Sequence, residues 1–279
     1  MEILTSKTEL ALALNHQKNN SNALGFVPTM GALHEGHLSL VKIAKELTDT
    51  VVASIFVNPT QFTNAADLEK YPRPIERDIE LLKNSNCDYL FLPAVDEIYS
   101  PGEQWQLDLG EIEGILEGKY RPGHYQGVTQ IVKKLLDVIQ PDLVFLGQKD
   151  FQQVMVLEHM VKSLGIPVEL VMCPIIRESD GLALSSRNIH LSASARKNAL
   201  VLSRSLFETK YQFQYQSVEE LKKNAWELLK NEEGVVPEYF EICDANTLQS
   251  VISKDAESII ALVAAKVGET RLLDNIILK

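Results

Sequence analysis

Two rhythms of apolar and polar positions run along the first half of the chain. Short, nearly unbroken apolar runs occur at Ala23–Pro28, Val51–Val57, Tyr89–Leu92, Leu143–Leu146 and Val168–Met172. Such runs predict strands buried on both faces. Between them, apolar positions recur every three or four residues at His37–Leu47, Pro74–Asn84, Val128–Ile139 and Phe151–Leu164, which predicts helices. Pro74 suits a first helical turn, and Gly165 followed by Ile166-Pro167 stops the helix before it. Strand–helix alternation of this kind implies right-handed crossovers and an α/β fold, a Rossmann-like parallel sheet flanked by helices.

The order then changes. Helical patterns at Ala193–Thr209 and Val218–Asn231 precede strand patterns at Tyr239–Cys243, Ser258–Val267 and Leu272–Leu278. Helices followed by strands predict a smaller C-terminal α+β domain with an antiparallel sheet. The boundary falls near Ile175–Glu178, giving domains 1–176 and 177–279. Glu97–Tyr125, with glycines at 102, 110, 114, 118 and 123, fits neither rhythm. It is expected to be an insertion with a strand of its own or a flap over a site.

Charge and cysteine usage narrow the function. Lysine and arginine number 27 against 38 aspartates and glutamates, a formal charge of −11, with no basic run. Nucleic-acid binding, which depends on neutralising phosphate, is disfavoured. No apolar stretch is long enough to span a bilayer, and the N-terminus lacks a signal-peptide pattern. The expected location is cytoplasmic. Cys87, Cys173 and Cys243 form no C-x-x-C pair, so a disulfide framework or a cysteine zinc site is not expected. They read as small core residues.

The chemistry concentrates at Phe26-Val-Pro-Thr-Met-Gly-Ala-Leu-His-Glu-Gly-His37, where a strand pattern ends in a glycine-containing turn and a helix pattern begins. In an open α/β sheet this is where phosphate binds, with main-chain N–H groups and the helix dipole aimed at the anion. His34 and His37, three residues apart, can face one ligand. The H-E-x-x-H zinc helix requires histidines four apart, and neither G-x-x-x-x-G-K-[ST] nor G-x-G-x-x-G occurs at this turn. Two surface histidines without function are the plain alternative.

An H-x-G-H pair after a first strand resembles the nucleotidyltransferase superfamily. The longer run Pro28–Leu40 is similar to the pantothenate synthetase family, and so in order are Phe56-Val-Asn-Pro-Thr-Gln-Phe62, Tyr71-Pro-Arg73, Arg121-Pro-Gly-His124, Phe145-Leu-Gly-Gln-Lys-Asp-Phe-Gln-Gln153 and Arg177-Glu-Ser-Asp-Gly-Leu-Ala-Leu-Ser-Ser-Arg-Asn188. The blocks cover the N-terminal two thirds; the last third carries no such motif. The resemblance implies ATP-dependent joining of pantoate and β-alanine through pantoyl-adenylate, releasing pyrophosphate and then AMP. A nucleotidyltransferase that leaves the nucleotide on its product, and a silent nucleotide-binding module, are the competing readings.

The same resemblance assigns roles. His34 and His37 would contact ATP phosphates, His37 as proton donor, and Lys149 would be the third catalytic residue, an ammonium suited to phosphate oxygens. Met30, Gly31, Ala32, Leu33, Glu35 and Gly36 would complete the first ATP turn. Gly147, Gln148, Asp150 and Ile176 would belong to the ATP site, with Leu184, Ser185, Ser186 and Arg187 as a second loop hinged at Gly181. Gln61 and Gln153 would orient pantoate, with Asn58, Pro28 and Met30 beside it and Val132 and Phe62 completing an apolar wall. Neutral amides suit a carboxylate that must attack, because an arginine would stabilise its ground state. Magnesium is expected with ATP, through phosphates and water, with no direct protein ligand and Asp78 as an indirect contact. The family forms homodimers, and Val51–Val57 reads equally as interface or core. The chain departs from the family at Gln126, where arginine is frequent, and at Gln130 and Leu184. Gln126 is expected to weaken ATP binding.

Overall fold

The computed structural model describes residues 1–18 and 22–279. They form two compact units, Met1–Gly147 with Gln152–Pro174, and Gln148–Phe151 with Ile175–Lys279. The first unit is built on six strands: β1 (Glu2–Leu4), β2 (Leu24–Thr29), β3 (Thr50–Ile55), β4 (Tyr89–Phe91), β5 (Leu143–Gly147) and β6 (Glu169–Cys173). All pair in parallel, in the order β1-β4-β3-β2-β5-β6.

Alternation along the strands explains why the sheet is covered twice. Phe26, Val52 and Val144 enter one apolar cluster with helix His124–Ile139, while Val27, Val51 and Phe145 enter another with Leu40, Val41 and Ala44 of helix Glu35–Leu47. Successive side chains of a strand point to opposite faces, so each strand must be apolar throughout. All six residues of β3 are buried between β2 and β4, which makes this strand core. β3 ends two residues before the expected Val57, just ahead of the turn Pro59–Gln61. The pairing of β2 with β5 stops at Phe26, so Pro28, which has no N–H, lies beyond it.

Strand order reverses between β2 and β5: the chain proceeds outward through β3 and β4 on one side and through β6 on the other. The crevice at the carboxyl ends of such a pair is where open α/β sheets bind ligands. The turn carrying His34 and His37 follows β2 there.

Glu97–Tyr125 contains no strand, contrary to one expectation for it. It holds the helical turns Gly110–Gly114 and Leu116–Tyr120. Side chains satisfy its main chain instead of a ladder. Gln126 accepts from Leu107 N and donates to Leu107 O at 3.0 and 2.9 Å. It also donates to the Glu113 carboxylate, while Trp105 Nε1 donates to Thr129 Oγ1.

The second unit has the antiparallel sheet β7 (Val235–Asp244), β8 (Ile259–Val267) and β9 (Thr270–Ile277), in that order. Helices Leu200–Gln212 and Val218–Lys230 share its apolar core. The single helix expected over Ala193–Thr209 is two, Ala193–Asn198 and Leu200–Gln212, joined at Ala199. Among the described residues, no helix is long and apolar enough to cross a membrane.

Candidate active site

The turn after β2 is held from below by a buried carboxylate. Asp78, fully buried, accepts from Ala32 N at 2.7 Å and Leu33 N at 2.8 Å. Burial pushes Asp78 above the ordinary carboxylate range, while the two main-chain donors and Arg77 pull it down. Gly31 has φ +81°, and a Cβ there would stand 3.0 Å from both Asp78 Oδ2 and Ile55 Cγ2, so glycine is required. The N–H groups of Ala32 and Leu33, expected to face ligand, are committed to Asp78.

His34 caps helix Glu35–Leu47. Its Nδ1 accepts from Gly36 N at 3.1 Å, and His37 Nδ1 accepts from His34 N at 3.4 Å, a reciprocal capping box built from two imidazoles. An Nδ1 that accepts must carry its lone pair, so each neutral ring bears its hydrogen on Nε2. The ring centroids lie 4.1 Å apart. The Nδ1 atoms are thus spent on the cap, and each ring's N–H lies on its other nitrogen.

The amide group is assembled around Pro59–Gln61. Gln61 is buried, its Oε1 accepting from Asn58 Nδ2 at 3.0 Å and its Nε2 3.1 Å from Met30 Sδ. Asn58 Nδ2 also donates to Gly127 O, and Asn58 Oδ1 accepts from Tyr99. Gly127 allows this contact, because a Cβ would come 2.3 Å from Thr60 O. Buried His124 lies with Nδ1 2.8 Å from Gln61 O, and since a carbonyl only accepts, Nδ1 carries the hydrogen. Met30, Asn58 and Gln61 are thus brought together, and His124, given no role by sequence reasoning, fixes the main chain of Gln61.

The neighbouring glutamines of helix Phe151–Leu164 differ in kind. Gln152 is buried and fully engaged, accepting from Glu117 N and donating to Ile112 O and Ile115 O. Gln153 is half-buried. Val132 is core, Phe62 stacks edge-on to Tyr71, and Pro28 is half-buried. Gln126 holds the Leu107–Glu113 stretch, which is a structural use of that position.

In the second unit, Gln148–Asp150 forms a single helical turn directly after β5. Lys149 and Gln148 are half-buried and Asp150 is exposed, as Gly147 ends the strand. Ile176 O accepts from Leu184 N, and Arg177 pairs with Ala183, so the Leu184–Arg187 loop leaves a closed loop whose tip is Gly181 at φ +97°. Ser185 Oγ accepts from Arg187 N, capping the turn Ser186–His190. Asp274 and Asn275 of β9 anchor this region, Asp274 binding Arg177 through both oxygens at 2.6 and 2.9 Å. Burial pushes Asp274 up, with the charges of Arg177 and Lys149 opposing. Neither residue stands near a recognisable motif, and no local pattern marks them.

Fold and comparisons together place the chain among ATP-using ligases of the α/β class. It belongs to the pantoate–β-alanine ligase family, whose model matches residues 2–277. It is 42% identical to a pantothenate synthetase of Acetivibrio thermocellus over the whole of both chains, and 43% identical to one from Sulfurihydrogenibium covering 99% of each. A solved pantothenate synthetase of Thermus thermophilus superposes with a TM-score of 0.94 at 41% identity, covering 100% of this chain and 99% of that one. The pantoate–β-alanine ligase of Francisella tularensis, solved with beta-gamma ATP and β-alanine, superposes at 0.82 with 35% identity over 100% and 98% of the two chains.

Proposed function

We propose that this pantothenate-forming ligase activates pantoate as pantoyl-adenylate and then transfers the acyl group to β-alanine. The pantoate carboxylate attacks the α-phosphorus of ATP and pyrophosphate leaves. The β-alanine amine then attacks the acyl carbon, the C–O bond breaks, and AMP departs. No protein nucleophile is needed, so the residues act by positioning and by stabilising charge. The observation carrying this reading is the capping box of His34 and His37, which fixes two imidazoles side by side at the helix start that follows β2. Their role is to hydrogen-bond the phosphates as pyrophosphate departs.

Within the first unit, Gln61 and Gln153 orient pantoate, beside Asn58, Pro28 and Met30. Gln61 arrives pre-positioned by Asn58 and His124. Lys149 supplies a positive charge to the phosphates, and Ser186 and Arg187 of the Leu184–Arg187 loop add further donors. Gly181 gives that loop a residue free to change φ, in keeping with a loop that closes over ATP. Magnesium enters with ATP as part of the substrate. Among the described residues no group of three acidic, histidine or cysteine side chains is placed to hold a metal, and both Asp78 oxygens are spent on main-chain amides. A homodimer and a cytoplasmic location belong to the same proposal, supported by family resemblance.

Incubation with ATP, magnesium and pantoate tests the reading. Pantoyl-adenylate should accumulate without β-alanine, and AMP and pantothenate should appear in equal amounts when it is added. AMP formation without pantoate would overturn it.

A further inference from the structure

The turn that presents Lys149 is held by the last strand of the chain. Asn275, 1% exposed, donates from Nδ2 to both Gln148 O at 3.0 Å and Lys149 O at 2.9 Å. Its Oδ1 accepts from Gln148 Nε2 at 3.1 Å. One buried amide therefore uses donors and acceptor on consecutive residues of a turn 126 and 127 positions away. A three-residue helical turn has no internal ladder to fix it.

The neighbouring residue ties in the second loop. Asp274 binds Arg177 through both oxygens, and Asp274 Oδ1 also accepts from Asn275 N at 2.8 Å. Arg177 in turn donates to Asn275 O at 3.2 Å and to Gly181 O at 3.1 Å. Asp274 and Asn275 thus connect the Lys149 turn to the hinge of the Leu184–Arg187 loop. A fully satisfied buried polar network of this kind fixes one arrangement.

We infer that Asn275 is a positioning residue for adenylate formation, acting through Lys149 by fixing the main chain of the Gln148–Asp150 turn. This rests on the reading of Lys149 as a phosphate-binding charge. Asn275 touches no substrate. Its side chain instead sets where the ammonium of Lys149 stands, and a displacement of about 1 Å at a catalytic group can cost as much as 10²-fold.

A double-mutant cycle tests the inference, with single-turnover adenylate formation and the KM values of all three substrates as readouts. Lys149→Ala, Asn275→Ala and the double variant are compared in the full chain. Asn275→Ala should slow adenylate formation at least about tenfold and leave the KM values for pantoate and β-alanine within about twofold. Added to Lys149→Ala, it should cause little further loss, because residues acting through one group are not additive. If Lys149→Ala itself is near normal, the reading of Lys149 fails. If Lys149→Ala is severe while Asn275→Ala is mild, or the two losses multiply, the positioning role is wrong. Should Asn275→Ala not fold, Asn275→Ser, which retains one donor, replaces it in the cycle. It should then show a smaller loss that again vanishes in the Lys149→Ala background, and a loss that persists there would overturn the inference.

Discussion

His37 Nδ1 accepts the main-chain N–H of His34 at 3.4 Å, so the second histidine caps the residue that itself caps the helix. Each ring has one edge that caps the helix and another that is proposed to meet phosphate. Mutations that separate the edges are the most informative.

His34→Asn keeps a good helix cap, since asparagine is among the preferred N-cap residues, but removes the Nε2–H donor. Its melting temperature should stay near that of the parent, and adenylate formation should fall by about 10²–10³-fold, the usual cost of losing one such donor. His37→Ala should lose at least about tenfold in the same single-turnover assay. Near-normal turnover in either folded variant would remove that histidine from the chemistry as described.

The glutamines separate by their partners. Gln61→Ala and Gln153→Ala should raise the pantoate KM with ATP affinity little changed. Gln152→Ala should instead cost stability, because Glu117 N, Ile112 O and Ile115 O lose their partner. A pantoate defect confined to Gln152→Ala would reverse the assignment.

Asp78→Ala removes the acceptor for two buried N–H groups. Each unsatisfied donor costs about 1–3 kcal/mol, so folding stability measured by urea unfolding should drop by about 2–6 kcal/mol. Residual folded enzyme should show a raised ATP KM, since the turn that carries the histidines loses its support. An unchanged unfolding midpoint would show that the turn is held otherwise.

Cys87, Cys173 and Cys243 are all buried. Burial pushes their thiols up to about 11, 11 and 12. They should be silent to an aromatic disulfide reagent at pH 8 in the native enzyme and all react once it is denatured. Rapid native labelling with loss of activity would place one of them at a working surface.

Much of the fold was legible because burial on both faces forces strands to be apolar throughout. The runs at Ala23–Pro28 and Leu143–Leu146 lie within a residue or so of β2 and β5. Weak or absent periodicity hid the rest. β1 is three residues long, and helix Lys7–Lys18 is barely amphipathic. Residues 97–125 take their shape from single side chains such as Gln126 and Trp105, which leave no repeating pattern.

Around the candidate site, the strand-to-helix turn of His34 and His37 was legible because its sequence signals are contiguous. Asp78 was legible only as a carboxylate, and its use as a bracket for Ala32 and Leu33 depends on a contact across 45 or 46 residues. Asn275 depends on a longer one still. Long-range polar contacts have no local signature.

The two-step route is tested most directly by labelling both carboxylate oxygens of pantoate with heavy oxygen and analysing the released AMP by mass spectrometry. One labelled oxygen should appear in each AMP phosphate, because the acid's oxygen bridges carbon and phosphorus before the amine displaces it. Unlabelled AMP, formed alongside labelled pantothenate, would contradict an acyl-adenylate altogether.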